Sequence, residues 1–189
     1  MSEFATGREA LAGVDPLFVD RWSPRALSNE PIDDAALQRI FEAARWAPSA
    51  YNEQPWTFYT STSDTFASYL GMLVEGNQSW AKDAAIIGFL IGKKHLSKNG
   101  NDNGTYQLDC GAAWMSMSLQ ARLEGLYTHA MAGIKRDQVI DTLGLDPAQY
   151  SAVMGFTLAK LRAPEQLPAG LQARETPSDR KPLDEIWRR

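Results

Sequence analysis

Cysteine, histidine and any surplus of basic charge are scarce in this chain. Cys110 is the only cysteine, which excludes an internal disulfide and sets aside a thiolate metal site within one chain. A reducing cytoplasm fits that usage. His95 and His129 are the only histidines, so a histidine-rich metal centre is excluded and a Ser-His-Asp arrangement has little to recruit. His95 stands beside Lys93 and Lys94 in a polar stretch and reads as solvated, and His129 reads as a packing or hydrogen-bonding residue rather than an acid-base catalyst. There is no G-x-x-x-x-G-K-[ST] phosphate loop, no G-x-G-x-x-G fingerprint and no G-x-S-x-G nucleophile elbow. Lys and Arg total 19 against 23 Asp and Glu, a formal charge of -4, with no basic block. That balance argues against a nucleic-acid binder and for small-molecule partners. Residues 1–14 carry Glu3, Arg8 and Glu9 and lack the apolar core of an export signal. The longest nearly apolar run, Ala84 to Ile91, is far short of the roughly 20 residues a membrane-spanning helix needs, and it reads as a buried strand.

What is present fits one domain over residues 1–189. With 189 residues, 44% of them hydrophobic, the chain can bury one continuous core. From Asp33, residues Leu37, Ile40, Phe41 and Ala44 fall at helical spacing, with acidic residues at the favourable end and Pro48 forbidding continuation. Trp56 to Thr60 is aromatic and β-branched and predicts a strand, while Thr65 to Val74 returns to helical spacing. Lys93 to Gly104 has the turn chemistry of a mobile loop. Tyr106 to Glu124 is a helix with Leu108, Ala112, Met115 and Leu119 on one face and Cys110, Trp114 and Met117 on others. A helix apolar nearly all round must be covered nearly all round, which points to a second subunit. Lys135 to Leu143 predicts a short helix closed by Gly144, and Val153 to Leu161 a second core strand. Beyond Arg162 the prolines 164, 168, 177 and 182 predict an extended tail over residues 162–189, fixed by specific contacts, with a partner subunit as one place for them.

Three islands can carry chemistry. Arg21-Trp22-Ser23-Pro24-Arg25 offers two guanidinium groups and a hydroxyl within five residues, suited to an anionic ligand, since guanidinium forks bind phosphate in bidentate fashion. A surface turn before a helix accounts for it equally well. Ala47-Pro48-Ser49-Ala50-Tyr51-Asn52-Glu53-Gln54-Pro55-Trp56 sets Ser49, Asn52 and Gln54 in a loop stiffened by prolines, with amides that both donate and accept. It can serve the edge of a heteroaromatic ring or merely join a helix to a strand. Arg180-Lys181-Pro182-Leu183 is a basic point on the tail, or a solvated terminus.

The order and wording of these islands resembles the nitroreductase family of flavoproteins. Arg21-x-Ser23-x-Arg25 looks like its opening motif, Ala47-Pro48-Ser49-x-x-Asn52-x-Gln54-Pro55-Trp56 its most recognisable signature, and Arg180-Lys181-Pro182-Leu183 its closing one. The resemblance spans nearly the whole chain. It implies an α+β fold, a three-layer α/β/α sandwich with a central mixed sheet, in an obligate-type homodimer with one FMN at each of two sites on the subunit interface. By the same resemblance Arg21, Ser23 and Arg180 face the ribityl phosphate, with Lys181 beside them. Trp22 contributes backbone, and Arg25 reaches the pyrimidine side. Pro48, Ser49, Ala50, Asn52 and Gln54 come from the other subunit. Ala130, Met131, Ala132 and Gly133 resemble the loop along the N5 edge, where small residues permit close approach. Asn77 and Trp80 resemble a further flavin-contacting segment in which some relatives have lysine at the position of Trp80; without that cation, Arg25 carries more of the charge balance on reduced flavin.

The resemblance further implies FMN-dependent oxidoreduction: hydride passes from NADH or NADPH to flavin N5, and then, in a ping-pong cycle, to an electron-poor acceptor such as a nitroaromatic, quinone or activated alkene. No protein side chain is called catalytic and no metal is called for, because the cofactor carries the chemistry. The alternatives are a flavoprotein of the same fold with another reaction (dehalogenation, dehydrogenation or flavin breakdown) and a non-catalytic FMN-binding dimer.

Overall fold

The computed structural model describes residues 8–189. In chain order the elements are α1 (Leu17–Asp20), β1 (Leu27–Ser28), α2 (Asp34–Arg45), β2 (Trp56–Thr60), α3 (Phe66–Gly71), α4 (Glu75–Ala81), β3 (Ile86–Lys93), α5 (Tyr106–Leu123), β4 (Tyr127–Met131), α6 (Arg136–Thr142), β5 (Tyr150–Leu161), α7 (Ala169–Gln172) and α8 (Leu183–Ile186). Helix α2 begins where expected. The Asp33 carboxylate accepts from the Ala36 amide at 3.2 Å, satisfying one of the donors that a helix start leaves unpaired. Among the described residues no helix is long and apolar enough to cross a membrane.

β5 organises the sheet. It pairs with β3 on one side and with β4 and β1 on the other, and β2 pairs with β3. Every one of these pairings is antiparallel, which corrects the expectation of a mixed sheet. The physical reason lies in the connections: α3 and α4 between β2 and β3 return the chain against its own direction, and no strand–helix–strand crossover joins neighbouring strands in parallel.

Alternation along β3 sorts the core. Ile87, Phe89 and Ile91 face one side, with Tyr69 from α3, Trp80 from α4 and Val139 from α6. Ile86 faces the other, with Phe156 and Leu158 from β5, Ile40 from α2 and Met117 from α5. Helices therefore cover both faces of the sheet, as a period-two strand buried on both sides requires. Gly88 is needed at the centre: a Cβ there would sit 2.2 Å from Cζ of Phe156, so the ring packs directly on the backbone of β3.

Three expectations change in detail. Residues 93–104 form a hydrogen-bonded hairpin rather than a loose loop, closed by a bridge between His95 and Asp102 and tied to the signature loop by the Ser97 amide, which donates to Glu53 at 2.9 Å. His95 is accordingly not solvated on all sides; its Nε2 lies 3.3 Å from Asp102, with the side chain 23% exposed. The tail is not simply extended. It forms a 3-10 turn at Pro164–Gln166 and helix α7, because Leu167 inserts into the core.

Candidate functional site

The segment bearing Arg21, Ser23 and Arg25 is short of secondary structure and is held by side chains instead. Asp20 is bound by Arg122 of α5 through Nη2 at 2.8 Å and Nε at 3.2 Å. Trp22 is buried and meets Tyr127 edge-on at 6.4 Å. Nδ1 of His129 bonds the carbonyl oxygen of Pro24 at 2.9 Å. Since that oxygen can only accept, Nδ1 carries the proton. Burial in the main, with Arg25 adding to it, pulls His129 down to about 4 against the opposing bonds to Pro24 and Ser23, so the imidazole is neutral near pH 7. The expectation of a packing and hydrogen-bonding histidine is met.

These anchors open a cavity of about 300 Å³ lined by Arg8, Arg21, Trp22, Ser23, Arg25, His129, Arg174, Thr176, Ser178 and Arg180. Five guanidinium groups thus converge on one hollow of a chain whose net charge is -4. Among the described residues, none of the five forms an ion pair with a carboxylate; those pairs occupy Arg39, Arg45, Arg122, Lys160, Arg162 and Lys181. Burial first, then Arg180 and Arg8, lower the pKa of Arg21, and burial followed by Arg180 lowers that of Arg8, with Asp179 offsetting part of the effect. Like charges gathered around a concave wall make a surface that attracts anions.

Of the residues expected at a phosphate, Arg21, Ser23 and Arg180 meet here, with Trp22 and Arg25 beside them. Lys181 does not: its Nζ pairs with Glu185 at 3.5 Å and its side chain is 75% exposed. Arg8, Arg174, Thr176 and Ser178 line the cavity without having been anticipated. Arg8 is the non-local member. Its Nη1 donates to the carbonyls of Val19 and Arg21 and its Nε to the carbonyl of Ser178 at 2.8 Å, joining the two ends of the chain. Arg8 stands in no motif, and a contact across that separation leaves no local pattern.

Pro48, Ser49, Ala50, Asn52 and Gln54 form a separate loop, and none of them lines the arginine cavity. Tyr51, Asn52 and Gln54 all adopt positive φ, at 54°, 58° and 48°, a conformation costly for non-glycine residues that accumulates at functional sites. Ser49 Oγ accepts from the Gln54 amide at 3.0 Å, and the Ala50 amide donates to buried Asp109 at 3.3 Å; these bonds hold the strained turn. Tyr51 at its tip is 89% exposed.

Ala130 and Met131 belong to strand β4, opposite Phe156 and Gly155, and Met131 is buried. The run read as a loop is a strand end, with Ala132 and Gly133 following it. Gly133 is required, for a Cβ would lie 2.8 Å from both Asn77 Nδ2 and Val74 Cγ2. The close approach is to Asn77, whose Nδ2 donates to the Gly133 carbonyl at 3.0 Å. Trp80, one turn on, is buried and packs against His129, the rings tilted by 39° with centroids 4.5 Å apart. It serves as packing behind the cavity and brings no charge.

The chain matches the sequence model of the Nitroreductase family over residues 19–71 and 61–160. A crystallised oxidoreductase containing FMN is 38% identical and superposes with a TM-score of 0.92 over 99% of this chain and 96% of that one. The CLA biosynthesis enone reductase of Lactiplantibacillus plantarum is 28% identical over 168 residues, covering 70% of this chain and 77% of its own. A nitroreductase crystallised with FMN from Exiguobacterium sibiricum 255-15 shares the fold at a TM-score of 0.75 and 21% identity, covering 91% of this chain and 94% of that one. The chain belongs to the Nitroreductase family.

Proposed function

We propose that the protein is an FMN-dependent oxidoreductase that takes hydride from NADH or NADPH and reduces an electron-poor small molecule, working as a homodimer with flavin sites at the subunit interface. The observation that carries this is the cavity in which five guanidinium groups, none in an ion pair among the described residues, gather with Ser23. A ribityl phosphate bears about two negative charges near neutral pH, and bidentate guanidinium contacts with a hydroxyl donor match its oxygens. The residues present therefore fit the group. A hollow of about 300 Å³ is at the small end for ligand pockets, roughly 300–1,000 Å³. It suits the phosphate end and leaves the ring to be covered by other residues.

A second subunit is the natural source of that cover. Leu108, Met115 and Leu123 of α5 are 75%, 37% and 66% exposed, and Trp46 is 73% exposed, large apolar side chains that a partner would remove from water. The Pro48–Gln54 loop, strained and held apart from the arginine cavity of its own chain, is shaped to serve a partner's site. In that arrangement Arg21, Ser23 and Arg180 bind phosphate, Arg25 holds positive charge near the pyrimidine edge, and Ser49, Asn52 and Gln54 hydrogen-bond the ring. Asn77 and Gly133 border its far edge. When bound, FMN supplies the two-electron chemistry; the protein binds, orients and excludes water. The similarity to an enone reductase favours an activated alkene among the acceptors.

The test is the visible spectrum of the purified protein before and after anaerobic NADH and NADPH, followed by turnover with a nitroaromatic, a quinone and an enone. The proposal expects a yellow dimer bleached by at least one nucleotide and recoloured by an acceptor. A colourless protein unable to quench FMN fluorescence overturns flavin binding, and a yellow protein that is never bleached overturns catalysis.

A further inference from the structure

Arg174, Thr176, Ser178 and Arg180 of the tail line the arginine cavity, whereas Glu175 and Pro177, with Thr176 again, border a neighbouring, more apolar cavity of about 180 Å³ with Ala26, Leu161 and Pro164. Arg174 closes a turn, its amide donating to the Leu171 carbonyl at 3.0 Å, and the chain beyond it runs without repeating structure, so a shift of this stretch along its path would re-aim the side chains that face the cavity. No ladder holds this stretch, which lies outside the named strands. Arg8 ties the stretch at Ser178, and a second tie nearer Arg174 is needed to fix its register.

Glu175 is placed to do so. Its Oε1 accepts from the Arg25 amide at 2.6 Å and from the Ala26 amide at 2.7 Å. These amides precede β1, whose ladder with β5 begins only at Leu27, and Ala26 is 2% exposed, so without Glu175 the Ala26 amide would be a buried donor lacking a partner. Anionic acceptors make such bonds short and strong. The bonds join the tail to the segment that carries Arg21, Ser23 and Arg25.

We propose that Glu175 is a positioning residue for the phosphate site, setting the register in which Arg174, Ser178 and Arg180 face Arg21 and Ser23, and thereby setting selectivity for the phosphorylated flavin over the unphosphorylated one. This rests on the flavin reading given above. Glu175 touches no ligand in this scheme and acts through the tail.

Charge and position oppose each other here, which makes the test sharp. Removing the carboxylate that follows Arg174 of the cavity wall raises the positive potential there, so electrostatics alone predicts tighter FMN binding. Loss of register predicts weaker binding. FMN and riboflavin affinities are measured by fluorescence quenching on the apoprotein of wild type, Glu175→Ala and Glu175→Gln. In Glu175→Ala, FMN affinity falls by about tenfold or more while riboflavin affinity stays, so selectivity collapses. In Glu175→Gln, whose side-chain oxygen can still accept both amides, FMN affinity returns to the wild-type level or exceeds it. An FMN-to-riboflavin ratio in Glu175→Ala equal to wild type overturns the inference, as does a Glu175→Gln variant that loses both ligands together. A wild-type protein that shows no preference for FMN overturns instead the flavin reading beneath it.

Discussion

Replacing Arg21 by methionine should move two quantities in opposite directions. Arg21 shares its cavity with four other guanidinium groups and has no carboxylate partner among the described residues. Two unit charges about 6 Å apart at an effective dielectric near 20 repel by ~3 kcal/mol. Partial exposure and salt cut that to about 1 kcal/mol. Methionine keeps most of the apolar stem, so little packing is lost with the charge. The apoprotein should therefore be more stable by about 1 kcal/mol, which for a chain of this size raises Tm by roughly 2–4 °C. FMN affinity should fall, because a charged donor to phosphate contributes about 1.5–3 kcal/mol, or roughly ten- to a hundredfold. Thermal unfolding of apoprotein at low salt and quenching of FMN fluorescence measure the two effects on one preparation. An apoprotein made less stable, with FMN affinity unchanged, would refute the reading of the cavity as a strained anion site.

Other outcomes follow from single contacts. Gly133→Ala must displace the side chains of Asn77 and Val74, each 2.8 Å from the new carbon, and should cost about 1–3 kcal/mol in urea unfolding; a neutral effect would mean that the Val74–Asn77 turn is not fixed. His129 is neutral when folded and titrates at about 4, against 6.5 ordinarily. Below pH 6.5 the unfolded chain takes up a proton that the native one refuses. Stability should therefore decline as pH falls from 6.5 to about 4, by at most ~3 kcal/mol, and a His129→Gln variant should lack that component. Arg25→Ala, by removing the cation on a cavity wall where Trp80 supplies none, should lower the midpoint potential of bound flavin by about 30 mV for each tenfold loss in preference for the reduced form. An unchanged potential would remove Arg25 from that role.

The elements with strong local signals were legible. The Asp33 cap, the apolar spacing of α2 and the continuous apolar run of β3 each follow from periodicity or termini that operate within a dozen residues. The Arg21–Arg25 cluster and the stiffened loop at Ser49–Gln54 were legible as motifs. Strand β4 was not, because Ala130 and Met131 are small or flexible and their place is decided by pairing with β5 rather than by propensity. The hairpin at 93–104 was hidden for the same reason: its glycines and asparagines announce turns, but the His95–Asp102 bridge and the Glu53–Ser97 bond are tertiary. On α5 the apolar set Leu108 and Met115 proved to face outward while Cys110, Ala113 and Met117 face the core. The period was sound, and which side met the sheet depended on packing. Arg8 and Arg174 enter the site through contacts between chain ends, which no window along the sequence contains.

In the proposed arrangement the arginine cavity holds the phosphate of FMN at a site completed by a second copy of the chain. A crystal structure of the FMN-loaded protein tests it most directly. The phosphate should lie within hydrogen-bonding distance of Arg21, Ser23 and Arg180, with the partner's Ser49, Asn52 and Gln54 against the flavin ring. A phosphate bound elsewhere, or a ring covered only by residues of the same chain, would contradict it.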